Sequence, residues 1–127
     1  MLVIIAGSRS VTTYASVEAA IALSGFVITE LVSGTAQGVD HLGEVWAGLH
    51  NIPITRFPAD WAQFGKMAGP MRNLEMVKYA LQGKGALLAI WDGKSRGTDN
   101  IIQIAREYAL PRRVVMLDSV EGLSITT

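Results

Sequence analysis

The chain has 127 residues, 50% of them hydrophobic, a length that fits one domain spanning 1–127 and buries about two-thirds of its unfolded surface. Its 11 basic and 11 acidic side chains cancel, so no global field draws it onto DNA, RNA or an anionic membrane. The absence of cysteine excludes disulfides, thiolate nucleophiles and cysteine-ligated zinc, and two histidines, His41 and His50, are too few for most histidine-based metal sites. No cofactor or metal is implied.

The first apolar run, Leu2–Ala6, lacks a basic flank and reads as a strand rather than a signal peptide. A helix follows, with Val17, Ala20, Ile21 and Ser24 on one face and Gly25 as its stop. Ile28–Ser33 is the second strand, and Val39, Leu42, Trp46 and Leu49 give the second helix its seam, capped by Asp40 or a neighbour. Ile54–Phe57 is the third strand. The Pro58–Gly69 connection is longer than a usual strand-to-helix loop, which marks it as functional or disordered, and its Trp61 and Phe64 argue against disorder. A third helix starts near Pro70 with Leu74, Val77 and Leu81 as its seam, and Ala86–Trp91 is the fourth strand. The fourth helix runs from Thr98 or Asp99 with Ile101, Ile104, Ala105 and Tyr108 inward, before a fifth strand at Val114–Leu117. Asp118–Thr127 reads either as an added edge strand or as a tail. The strands are expected to be buried on both faces. Their alternation with helices predicts an α/β fold, a Rossmann-like parallel sheet of about five strands with helices on both faces. No apolar run approaches the roughly 20 residues that span a bilayer, and the expected location is cytoplasmic.

In such a sheet ligands bind beyond the carboxyl ends of the strands. Those ends carry Gly7-Ser8-Arg9, Gly34–Gly38, the loop from Pro58 through Asp60, Trp61, Gly65 and Lys66 to Gly69, and Asp92–Thr98 with Gly93, Lys94, Arg96 and Gly97; Arg72 follows the third. Glycines let main-chain N–H groups approach a ligand, helix N-termini add partial positive charge, and arginine offers a forked donor. The combination suits a phosphate-bearing ligand. Single residues stay open between two roles. Trp61 stacks on a base or packs beneath its loop, and Asp92 accepts from a ribose hydroxyl or caps a turn. Trp46 reads as core and His41 as a helix-start residue. The nucleophile elbow, the P-loop and the G-x-G-x-x-G fingerprint are all absent.

Five ordered segments carry a resemblance over nearly the whole chain from Leu2 to Leu117. They are Gly7-Ser8-Arg9, Ser33-Gly34-Thr35-Ala36-Gln37-Gly38-Val39-Asp40, Phe57–Trp61, Gly65–Asn73 and Trp91–Thr98. Together they resemble the SLOG superfamily, in its small single-domain YspA/YpsA-like branch. That resemblance implies a Rossmann-like domain binding a nucleotide or nucleotide-derived ligand, of the ADP-ribose, NAD or nucleoside phosphate kind, for sensing or sequestration. The loops and the resemblance together place at the ligand Gly7, Ser8, Arg9, Ser33, Gly34, Thr35, Gly38, Asp40, Asp60, Trp61, Lys66, Arg72, Asn73, Asp92, Arg96, Gly97 and Thr98. SLOG relatives commonly pair, and Met67, Met71, Met76 and Tyr79 offer the apolar surface of a homodimer contact.

Two relatives frame the alternatives. Arg72-Asn73-Leu74-Glu75-Met76 resembles the R-K-x-x-M segment of Lonely Guy phosphoribohydrolases, but their P-G-G-x-G-T-x-x-E segment is broken here: only Gly97-Thr98 survive, and Ile101 takes the glutamate's place. N-glycosidic cleavage needs a carboxylate that isoleucine does not supply. A hydrolase would therefore use Arg72 with Asp99, although Asp99 is expected to cap the fourth helix instead. The third reading follows the DNA-processing protein DprA, whose Gly-Ser-Arg, Ser-Gly-x-Ala-x-Gly-x-Asp and Arg-Asn segments look like those here. Its ligand, single-stranded DNA, calls for a surplus of basic residues that this chain lacks.

Overall fold

The computed structural model describes residues 1–118, and the expectation for the tail lies outside them apart from Asp118. Five parallel strands, β1 (Leu2–Gly7), β2 (Glu30–Ser33), β3 (Ile54–Arg56), β4 (Gly85–Trp91) and β5 (Arg112–Met116), form one sheet in the order β3-β2-β1-β4-β5. The Rossmann-like expectation holds. Successive side chains of a strand point to opposite faces, so β1 divides its apolar run between two cores. Val3 and Ile5 pack with helices α1 (Tyr14–Ser24) and α2 (Val39–Leu49), through Val17, Ala20, Ile21, Val39 and Ala47. Ile4 and Ala6 pack with α4 (Ala68–Leu81) and α5 (Arg96–Glu107), through Met76, Val77, Ala80, Ile101, Ile102 and Ala105.

Burial on both faces holds for β1 and β4 but not at the sheet margins, where Val114 and Met116 of β5 are exposed and no residue of β3 is fully buried. An edge strand has a neighbour on one side only, and the flanking helices cover the sheet's centre first. The helix seams also differ from the pattern of large apolar residues. On α2, Gly43 and Ala47 face the sheet, and a Cβ at Gly43 would stand 3.3 Å from Ile5 Cγ2, while Leu49 is exposed. Close docking on a sheet selects small side chains, which a count of large ones misses. On α4, Asn73, Met76, Val77 and Ala80 are buried and Leu81 is not; on α5, Ile102 is buried and Tyr108 is exposed.

Gly25 caps α1 in the left-handed conformation, at φ 71°, as expected. The long connection is ordered as a four-residue helix, α3 (Trp61–Phe64), and a 3-10 turn, Gly65–Met67, that leads into α4. Pro70 falls within the first turn of α4, where a missing N–H is tolerated. α5 begins at Arg96, ahead of the expected start, with Ser95 as its N-cap. Of the four side chains expected at a homodimer contact, Met76 is in the core and only Met67 is exposed; the Tyr79 hydroxyl donates to Glu30 Oε2 at 2.6 Å. No described helix is long and apolar enough to cross a membrane.

Candidate functional site

The chain runs outward from β1 to β2 and β3 on one side and from β4 to β5 on the other, so connections diverge at the carboxyl ends of β1 and β4, the place where such sheets open a crevice. A cavity of about 480 Å³ lies there, lined by residues of the β1–α1 loop, the β2–α2 loop, α3, the first turns of α4 and the start of α5. A second, of about 350 Å³, continues from it between the Gly34–Gln37 loop and Pro58-Ala59. Arg9, Ala36, Trp61 and Arg72 line both, which makes them two lobes of one cleft.

Four cations border the larger lobe, Arg9, Lys66, Arg72 and Arg96, against one carboxylate, Asp40. Arg9, Lys66 and Arg96 are exposed and have no acidic partner among the described residues, in which the single ion pair joins Arg56 and Glu44 at 2.9 Å. Arg72 is held from two sides. Its Nη1 donates to the Gly34 carbonyl and its Nε to Asn73 Oδ1 at 2.9 Å. Burial depresses its guanidinium below the ordinary arginine value; Asp40 opposes that shift and the like charge of Arg9 adds to it. Asn73 is itself buried, and its Nδ2 donates to Asn100 Oδ1 at 2.9 Å and to the Gly97 carbonyl at 3.3 Å, tying α4 to the start of α5. The Arg96, Gly97 and Thr98 N–H groups have no acceptor among the described residues, so the positive end of α5 opens into the cleft.

The Gly34–Gly38 loop is strained and braced. Thr35 stands at φ 63°, in the left-handed region that costs a residue with a Cβ about 1 kcal/mol or more. Its N–H donates to Ser33 Oγ at 3.1 Å, and that hydroxyl donates to Glu44 Oε2 at 2.7 Å. The Ala36 N–H donates to Asp40 Oδ2 at 3.1 Å. Gly38 caps α2 at φ 76°, with its missing Cβ directed at main-chain oxygen, Arg9 O at 2.6 Å. Asp40 is therefore not the cap. It lies in the first turn of α2, 6% exposed, and its carboxyl is pushed up to about 6, chiefly by burial, with Glu44 acting the same way and the Ala36 N–H, Arg72 and Arg9 opposing.

Of the residues singled out from sequence, Gly7, Arg9, Asp40, Trp61, Lys66, Arg72, Asn73, Arg96, Gly97 and Thr98 border the larger lobe, and Gly34 and Thr35 the smaller. Ser8, Ser33, Gly38, Asp60 and Asp92 border neither and hold the loops instead. Asp60 Oδ1 caps α3 through the Gln63 N–H at 3.1 Å. Asp92 Oδ1 accepts the Ser95 and Lys94 N–H groups, both at 2.8 Å, and its own N–H donates to Ser8 Oγ at 3.2 Å. Those main-chain bonds hold the Asp92 carboxyl below the usual carboxylate range. Asp99 does not cap α5; its Oδ1 meets Gln103 Nε2 at 3.5 Å and it borders neither lobe. Sequence reasoning missed Asn100 and Glu44, the second shared by Ser33 and Arg56. A spacing of four from Asp40 along α2 is the one signal that would have found Glu44. Among the described residues no three His, Asp or Glu side chains gather as ligands for a metal ion.

Fold and cleft define a Rossmann-like domain with a cationic crevice at its strand reversal, and the comparisons with known proteins agree with that class. Residues 1–64 match the YspA, cpYpsA-related SLOG family, and the chain belongs to it. The matched stretch contains Gly7–Arg9, Ser33–Asp40 and Phe57–Trp61, whereas Arg72, Asn73 and Asp92–Thr98 lie beyond it. The chain is also similar to the Gene 61 protein of Mycobacterium phage D29, 35% identical over 86 residues that make up 64% of this chain and 66% of that protein. The relative's name states no activity. No solved structure matches the chain.

Proposed function

We propose that the chain binds a phosphorylated nucleotide, or a ligand derived from one, in the cleft at the carboxyl ends of β1 and β4. The observation that carries this reading is the charge of the larger lobe, four cations against a single carboxylate, in a chain with no net charge overall. Two guanidiniums, Arg9 and Arg72, repel each other across the cleft, and an anion between them relieves that cost. The phosphate would sit against the Gly97 and Thr98 N–H groups at the start of α5, with Arg96 and Lys66 beside it. Trp61, half exposed above both lobes, would stack on the base, and the smaller lobe would take the rest of the ligand.

The test is a thermal-shift panel of AMP, ADP, ADP-ribose, NAD and cyclic ADP-ribose relatives at millimolar concentration. A ligand that binds only the folded chain stabilises it in proportion to the logarithm of its excess over Kd. A rise in Tm with at least one of them is expected, and no rise with any would end the proposal.

One observation favours a second reading, N-glycosidic hydrolysis. Asp40, rather than Asp99, brings a carboxylate into the same lobe as Arg72. Free base and ribose phosphate released on long incubation, and lost in Asp40→Asn, would establish it.

A further inference from the structure

Asp40 is the one acidic side chain bordering the larger lobe, and it is nearly sealed from solvent. It is held at one oxygen only: Oδ2 accepts the Ala36 N–H at 3.1 Å, and no described group donates to Oδ1. The groups facing it come from each element packed around it. Arg72 approaches from α4, Arg9 from the β1–α1 loop, Glu44 from its own helix one turn on, and the Ala36 N–H from the β2–α2 loop. The Ala36 N–H is the strongest of the groups favouring an ionised Asp40; with Glu44 turned toward Arg56 and Ser33, the charges that add to it are the guanidiniums, Arg72 first and Arg9 less.

These two guanidiniums also line both lobes of the cleft. An anion that settles between Arg9 and Arg72 takes up the positive field on which the Asp40 carboxylate depends. The buried carboxylate then faces the anion's like charge with its counter-charges spent, and the cheapest response is to take a proton. We propose that anion binding in this cleft is coupled to protonation of Asp40, an inference that rests on reading the cleft as an anion site. The proton does more than balance charge. A neutral carboxyl is a weaker acceptor for the Ala36 N–H than a carboxylate, so occupancy of the cleft loosens the brace on the strained Thr35 turn. The same linkage makes affinity depend on pH through the protein rather than through the ligand. Burial already pushes the Asp40 carboxyl up to about 6, which brings the coupling close to neutral pH.

The probe is inorganic sulfate, which does not titrate near neutrality, measured by calorimetry against chloride at equal ionic strength. Titrations near pH 7 in PIPES and in bis-Tris, whose heats of ionisation differ, report the protons exchanged. The expected result is net proton uptake in the wild-type chain and none in Asp40→Asn. For a midpoint raised by about one pH unit, sulfate affinity gains about fivefold between about pH 8 and pH 6. Carbon NMR of the wild-type carboxyl groups gives the answer without a variant: the Asp40 midpoint must rise when sulfate is added. Sulfate binding with identical heats in the two buffers and an unmoved Asp40 midpoint would overturn the coupling and leave the anion site standing. Absence of any sulfate binding would overturn both.

Discussion

The backbone around Gly34 carries no left-handed φ at that residue, so the position is reserved for glycine by its neighbours alone. A Cβ there would stand 2.7 Å from Arg72 Nη1, 3.0 Å from Arg72 Cζ and 2.9 Å from Asp40 Oδ2. Gly34→Ala therefore expels the guanidinium, whose side chain is flexible, before it moves the buried Asp40. The displaced arginine loses its bond to the Gly34 carbonyl, a hydrogen bond to a charged group worth about 1.5–3 kcal/mol. Alanine returns about 0.4–1 kcal/mol by restricting the unfolded chain. The net loss is about 1–2 kcal/mol, which at a urea dependence of about 1.5 kcal/mol/M moves the unfolding midpoint down by about 1 M. Sulfate affinity falls with it. The decisive assay is a double-mutant cycle with Arg72→Ala. In that background the collision is gone, and Gly34→Ala is expected to be neutral or slightly stabilising. An equal destabilisation in both backgrounds, or a Gly34→Ala chain as stable as wild type with full sulfate affinity, would refute the assignment of Gly34 to seating Arg72.

Three further outcomes follow from neighbouring contacts. Asp40 has a folded pKa raised from 3.8 to about 6, so its favourable contribution is complete below the unfolded value and lost as pH rises through the folded one; urea unfolding without added anions should show Asp40→Asn gaining on wild type by up to about 3 kcal/mol between about pH 4 and pH 7. Asn73→Ala removes three hydrogen bonds at a buried position and should destabilise the chain by about 2–4 kcal/mol in chemical denaturation, with anion affinity reduced because Arg72 Nε loses its acceptor. Trp61→Ala should change stability by less than about 1 kcal/mol, since α3 buries no residue, while any nucleotide that binds loses about 1–3 kcal/mol of affinity in calorimetry and sulfate loses none.

The sheet was legible because its signal is redundant. β1 and β4 are each a short apolar run between turn residues, and a strand buried on both faces leaves that run no polar alternation to confuse it. Topology then carried the position of the cleft, since the carboxyl ends of parallel strands share one edge. What was not legible depends on distances the sequence does not encode. Gly43 and Ala47 outrank Leu49 on α2 because the helix approaches Ile5 closely, and hydrophobicity alone ranks them the other way. Asp92 and Ser8 were grouped with the ligand because they sit in the right loops, but Asp92 satisfies the free main-chain N–H groups of its own turn and Ser8 Oγ accepts the Asp92 N–H from the neighbouring loop. Asp40 and Asp99 were both candidate caps and neither is one: Gly38 and Ser95 occupy the cap positions, so Asp40 turns into the cleft, where the ligand reading also placed it, and Asp99 meets Gln103 along its helix.

The placement of the two carboxylates bears on chemistry. Ile101 borders the larger lobe at the position where a hydrolase of the resembled kind carries its glutamate, so no carboxylate reaches the cleft from the first turns of α5. Asp40 approaches from α2 instead, pinned at one oxygen by the Ala36 N–H and flanked by Arg72. A carboxylate that steadies a positive sugar centre must remain ionised when the phosphate arrives, whereas one coupled to anion binding becomes neutral at that moment. The two roles are exclusive, and the direction of proton exchange separates them. Uptake on binding leaves Asp40 neutral beside the occupied site, in keeping with a receptor that holds its nucleotide intact. Binding without uptake keeps the carboxylate charged in the lobe, and the search for released base then becomes the measurement that matters.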